Sequence, residues 1–438
     1  MCCLLILAGC TNLPFRLESS PQAGVTTPEK TLAPTIPATT DAVETKLIGT
    51  QESTPVATAQ ATGTSLRIWL PPEFDPESNS VASVLLKNRL KEFTVENPKV
   101  KLEVRVKALS GAGGLLESLA ATSVSASLVL PDLVLLPRPL LESAALKGLL
   151  TPYDGLTDTM NERNWFEYAQ QLAQLKTSIY GLPFAGDAMV MAYHPSLIDG
   201  TPRNLDAIVA LGKVLLFSAS DPQALFTLGL YMDGGGDFQD AQGRPYLEES
   251  SLLSVFEYDQ RASLAGVMPY WLTQYSEDEQ VWESFLEDQY PMAITWVYAF
   301  MKNWSAAPDD LAMAPIPTWD STPFTLATGW SWALAGQDSE RRTMSVRLAE
   351  FLIDKEFMAE WTSAAGYLPT RTDAFLSWGD DSLRQMARQI SYSARLMPPA
   401  DLISSLGPAL EEAVVGVLKA EIDPQTAVLK VIEQINQP

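Results

Sequence analysis

Few residues of this chain can do covalent chemistry, and the thiols are gathered at one end. Cys2, Cys3 and Cys10 are its only cysteines, and Cys10 closes the run Leu7-Ala8-Gly9-Cys10. A short apolar segment ending in Gly-Cys suits lipoprotein processing, in which the thiol is acylated and cleavage makes Cys10 the new N-terminus. No Lys or Arg precedes the run, which points to a start codon placed too far downstream. Beyond Cys10 no disulfide framework, Cys-based metal site or thiol nucleophile is available. His194 is the single histidine. It leaves no His-rich metal site and argues against a Ser-His-Asp triad. Gly234-Gly235-Gly236 lacks a following Gly-Lys-Ser/Thr and reads as a turn, not a phosphate loop. Asp309-Asp310 and Asp380-Asp381 lack the alternation of a calcium loop. The expectation is a protein without catalysis, metal or cofactor. What the chain does have is tryptophan, eleven in all, from Trp69 to Trp378. Aromatic faces beside carboxylates and amides suit a ligand with apolar faces and polar edges that need partners in a dry cleft.

These residues must be positioned by a large folded body. From about Thr11 to Gly63 the sequence is rich in Thr, Pro, Ala and Ser, with no aromatic between Phe15 and Trp69. It cannot bury enough apolar surface to offset chain entropy. A flexible chain of that length spans on the order of 40 Å, a tether lifting a domain from a membrane. The rest exceeds what one core holds, so two lobes are expected. The net charge of −23 excludes binding nucleic acid through phosphate contacts. No segment offers the roughly 20 apolar residues of a membrane span.

Strands and helices alternate. Leu66–Leu70 reads as a strand, Val81 to Asn97 as a helix ending at Asn97-Pro98, and Lys101–Val106 as an alternating strand. Leu115 to about Val124 is helical, Pro131–Pro137 a short buried strand, and Leu140–Leu149 a helix. This β-α-β-α-β order implies an α/β fold with a parallel sheet and ligand chemistry in the loops after the strands.

An ordered set of segments then resembles the extracellular solute-binding proteins of ABC importers, in the sugar-binding, maltodextrin-binding-protein-like cluster. They are Phe93-x-x-x-Asn97-Pro98-x-Val100-x-Leu102, Pro131–Leu135, Gly148–Tyr153, Tyr180–Phe184 with Met189–Pro195, and Asp233–Phe238. Met292–Trp296, Met313–Pro317, Thr328–Leu334, Ala349–Leu352 and Gly366–Arg371 follow. The resemblance covers roughly 65–375. It implies two α/β lobes of the type II binding-protein fold, joined by crossing strands near Phe184 to Met191 and Ala314 to Trp319, with the ligand between them. The N-lobe would be 64–187 plus 318–367 and the C-lobe 188–317 plus 368–438, after a signal at 1–10 and a tether at 11–63. His194 stands where relatives often carry Asn, and the triple glycine is longer than the usual pair.

The resemblance also implies site residues. Trp296 stands where relatives place a stacking aromatic, and Tyr298 is one alternating residue on. Trp330 and Trp332 lie two apart on a strand facing the cleft, and so share a face; one of them can equally belong to the N-lobe core. Asp187 sits among small residues on the first crossing strand, able to reach a cleft hydroxyl or to form a hinge ion pair. Glu73 and Phe74 follow the first strand, Arg138 follows the third, and Tyr367 lies near the lobe junction. The expected protein is a monomeric receptor, lipid-anchored outside the cytoplasm, that delivers a carbohydrate to ABC permease subunits. The alternatives are the same fold with another solute, such as a polyol, peptide or polyamine, and a secreted glycoside hydrolase with two carboxyls roughly 5–10 Å apart.

Overall fold

The computed structural model describes residues 64–436, apart from 289, 305–309, 337, 377 and 380. Cys10 and the tether lie outside the described residues.

The first strands form as their alternation predicts. β1 (Thr64–Leu70), β2 (Val100–Val106) and β3 (Leu133–Pro137) pair in parallel, with β1 in the middle. Helices connect them. α1 (Val81–Glu96) starts at Ser80, whose hydroxyl accepts the Ser83 N–H, and it ends at Asn97. α2 spans Leu115–Ser125, and α3 (Arg138–Leu146) follows β3 directly, with Pro139 in its first turn, where a missing N–H costs nothing.

Beyond β3 the sheet stops being parallel. The second crossing expected near Ala314 to Trp319 is not a strand beyond Ala314; a later return strand, Thr325–Leu334, lies antiparallel to β3 and also antiparallel to a crossing strand, Leu182–Tyr193. The sheet is therefore mixed, and a strand from late in the chain divides its two halves. Local propensity carries no trace of such a distant partner.

The crossing strand is the spine of both lobes. Leu182–Ala188 pairs with the return strand, whereas Met189–Tyr193 pairs with Met292–Trp296 and, farther along, with Ala312–Ala314. Its ten apolar and small residues are nearly all buried because layers cover both faces. Where it meets the return strand, Gly186 opposes Gly329. A Cβ at Gly186 would overlap the Tyr168 hydroxyl, and one at Gly329 would overlap the Ala185 carbonyl. Only glycine allows this close approach.

In the second lobe Glu249–Leu264, Ala400–Leu418 and Pro424–Ile435 pack on one another, and Leu225–Asp233 packs between them and the strand Thr325–Leu334. Among the described residues no helix is long and apolar enough to cross a membrane.

Candidate functional site

The strand Met292–Trp296 is buried to its last residue, and the helix Val297–Trp304 begins at once. Trp296 therefore stands at a strand-to-helix corner, half-buried, on the wall of a cleft of about 700 Å³. Its indole N–H donates to Asp278 Oδ2 at 2.7 Å, and the Ser218 hydroxyl donates to Asp278 Oδ1 at 2.5 Å. The ring is thus held before any ligand arrives, so a ligand stacking on it would meet little ordering cost. Asp221 lies on the same wall, accepting the N–H groups of Gln223 (2.9 Å) and Leu225 (3.0 Å). Burial pushes its carboxyl up; these hydrogen bonds oppose that, and the charge of Asp278 adds to it. Leu109 and Ser110, which follow β2, and Pro137, Pro139 and Leu140, at the end of β3, also line the cleft. Thr328 and Met397 complete the cleft. It is mainly apolar, with a few polar groups, as ligand clefts are. A smaller cavity of about 330 Å³ between Arg203, Thr318 and Met386 has no aromatic wall.

A second aromatic set adjoins the hinge. Tyr367 is brought out of its helix by Gly366, which ends the helix at φ +81°. Its ring stacks on Tyr298 at 4.5 Å and lies within 6 Å of Phe74 and Trp361. Burial, then the charges of Tyr298, Asp187 and Glu73, push its phenol up. The Trp330 indole N–H opposes that rise by a small amount. Trp330 is half-buried at the edge of this set, 4.8 Å from Phe74. Tyr298 is half-buried too, with Lys302 over its ring. Glu73 is exposed on the turn Pro72–Phe74.

Asp187 sits midway along the crossing strand. Its Oδ1 accepts the N–H of Ala188 at 2.9 Å and that of Tyr298, in the first turn of the helix Val297–Trp304, at 3.1 Å. Burial outweighs these bonds and raises its carboxyl to about 7. No ion pair of the described residues involves it, so the hinge salt bridge expected as its alternative role is absent among them.

Three expected contacts need correction. Phe74 is 2% exposed, enclosed by Phe184, Trp361, Tyr367 and Trp330; it supports the site from behind and presents no face to a ligand. Trp332 is wholly buried against Phe184, deeper in the same cluster as Trp330, so of the two it is the core residue. Arg138 points inward. Its Nε donates to Glu142 at 2.7 Å, and one terminal nitrogen donates to the carbonyls of Gln171, Leu172 and Gln174. It caps the end of the helix Glu167–Ala173, and Glu142 in turn accepts the Ala400 N–H. A fourth expectation changes in detail: Tyr298 does not alternate with Trp296 along a strand, because the helix has begun.

Asp221 and Asp278 escaped the sequence reading. Asp221-Pro222 ahead of an apolar run has the look of a helix start, and that signal was available. The bond from Trp296 to Asp278 had none. His194 stacks on Phe285 at 4.5 Å, with Nδ1 2.6 Å from the Asp310 carbonyl, and takes a place in packing. No group of three or more His, Cys, Asp or Glu among the described residues could hold a metal.

The fold is similar to that of several solved binding proteins. One is the cyclic α-maltosyl-1,6-maltose binding protein of Arthrobacter globiformis, 17% identical over 85% of this chain and 98% of that one, with a TM-score of 0.71. Another is the sugar-binding protein of Xanthomonas citri, 16% identical over 85% and 96%, at 0.70. A third is the maltose-binding protein of Listeria monocytogenes, crystallised with maltose, 16% identical over 85% and 97%, at 0.69. No curated protein matches by sequence. The family model described as bacterial extracellular solute-binding protein matches residues 88–383. With its two-lobed fold and a cleft lined from both the β3 end and the Trp296 corner, the chain belongs to the bacterial extracellular solute-binding proteins.

Proposed function

We propose that this protein captures a carbohydrate between its lobes and delivers it to the permease of an ABC importer. The observation that carries the reading is Trp296, fixed edge-on by Asp278 in a cleft of about 700 Å³. An oriented aromatic face with polar groups around it suits a sugar ring. Trp330, Tyr298, Asp187 and Glu73 would meet the ligand from the hinge side as the lobes close, while Tyr367, buried at 5% exposure, would brace Tyr298 from behind. The lobes themselves would be 64–187 plus 318–367 and 188–317 plus 368–438. Cys10 would carry the lipid, and residues 11–63 would be the tether that keeps a monomeric receptor near its permease. Contact with both lobes favours the closed form, and a permease that reads closure takes up loaded receptor only.

Thermal unfolding of the purified protein against a panel of mono- and oligosaccharides tests this. A ligand at a hundred times its Kd, binding only the folded state, adds about 2.7 kcal/mol. A raised midpoint with one class of saccharide supports the reading. No shift with any, in protein freed of co-purified ligand, refutes it. Turnover of an oligosaccharide would indicate a hydrolase instead.

A further inference from the structure

The charge of the cleft is one-sided. Building on the carbohydrate reading above, we infer that the solute carries a protonated amine, and that the site is built for an amino sugar. Asp221, Glu277 and Asp278 stand around Trp296, and no Lys or Arg is among the described residues that line the cleft. The hydrogen-bond donors to Asp221 and Asp278 are all neutral: two backbone N–H groups, a serine hydroxyl and an indole. They orient the carboxylates and leave the charges standing. Arg138 falls in sequence between two lining residues, Pro137 and Pro139, but its guanidinium turns inward onto Glu142 and three carbonyls. Glu277 is exposed on the same wall.

Two half-buried carboxylates that repel each other are relieved by a cation placed between them. Burial is the main cause that pushes the Asp221 carboxyl up, and the charge of Asp278 adds a smaller push in the same direction. The Trp296 face attracts a cation as well, when the charge comes within about 6 Å of the ring. A neutral saccharide would use the ring and leave the charges uncompensated. A bare polyamine would satisfy the charges but leave Ser110, Gln223, Ser276 and Thr328, all lining the cleft, without hydroxyl partners. A sugar bearing an ammonium group uses both sets.

The test is calorimetric titration of the whole protein with glucosamine disaccharide, its N-acetylated counterpart, maltose and spermidine, each at about 0.1 M and 1 M salt. The Debye length falls from about 10 Å to about 3 Å over that range. The glucosamine disaccharide should bind at least tenfold more tightly than the N-acetylated form and maltose at low salt. That advantage should shrink at high salt, and Glu277→Gln should reduce it several-fold. Equal affinity for the amine and its N-acetylated form, or tightest binding of maltose, overturns the amine while the carbohydrate reading stands. Spermidine binding without any saccharide overturns both, and no binding of any probe overturns the amine while the saccharide panel decides the carbohydrate reading.

Discussion

Replacing Asp187 by Asn tests whether the hinge holds a proton. The carboxyl rises from 3.8 to about 7 on folding, mainly through burial. Between those values the folded protein keeps a proton that the unfolded chain releases. Stability contributed by Asp187 is therefore fully present below about pH 4 and is lost as the pH climbs to 7, at up to about 1.4 kcal/mol per unit. The ceiling is about 4 kcal/mol over three units, and partial exposure of the side chain brings the expected loss nearer to about 2 kcal/mol. Asparagine keeps Oδ1, which accepts both the Ala188 and Tyr298 N–H groups, and it cannot ionise. Urea unfolding followed by tryptophan fluorescence, from pH 4.5 to 8, gives the difference between variant and parent. The variant should gain about 2 kcal/mol on the parent across that range. Other titrating groups, Asp259 among them, act on both proteins and cancel. Curves that stay parallel, or a variant that falls behind at pH 8, would refute the argument.

Trp296→Ala should weaken binding of the saccharide found in the panel by about tenfold or more, read by calorimetry, with little loss of stability because the ring is half-buried. Arg138→Met should do the reverse: it strands Glu142 in the core and costs about 3–5 kcal/mol in denaturant unfolding, while the Kd of the refolded protein stays unchanged. Gly186→Ala should lower the melting temperature by several degrees through its clash with the Tyr168 hydroxyl. Tyr168→Phe should restore part of that loss, since the hydroxyl is buried without a partner. Asp259 is 2% exposed and its carboxyl is raised to about 8 by burial. Asp259→Asn should therefore flatten the fall in stability between pH 4 and 8, by up to about 1.4 kcal/mol per unit, as measured by unfolding across that range.

The first half of the fold was legible because its signals are local. β1, α1, β2, α2 and β3 follow alternation, helical spacing and breakers such as Asn97-Pro98, and all appear within one to three residues of the expected bounds. The return strand's antiparallel insertion was not legible, since its two antiparallel neighbours lie some 140 to 200 positions away in the chain. At the site, residue type located the aromatics but not their depth. Trp330 and Trp332 share a face, yet only packing by Phe184 decides that Trp332 is sealed. Phe74 follows a strand in an exposed-looking Pro-Pro loop, yet a cluster drawn from four distant segments closes over it. Arg138 looked free because its partners, three carbonyls at the end of another helix, carry no sequence signature.

The return strand also has a consequence in time. β3 and the crossing strand do not touch directly; Thr325–Leu334 fills the place between them. Until the ribosome has made residue 334, the first sheet lacks its middle and the crossing strand lacks the partner of its leading half. At about 5–20 residues per second, that leaves β3 without its next neighbour for roughly 10–40 s after it is made. A chain of an extracellular family gains from this delay, because the sheet that joins its two lobes stays incomplete for most of its synthesis.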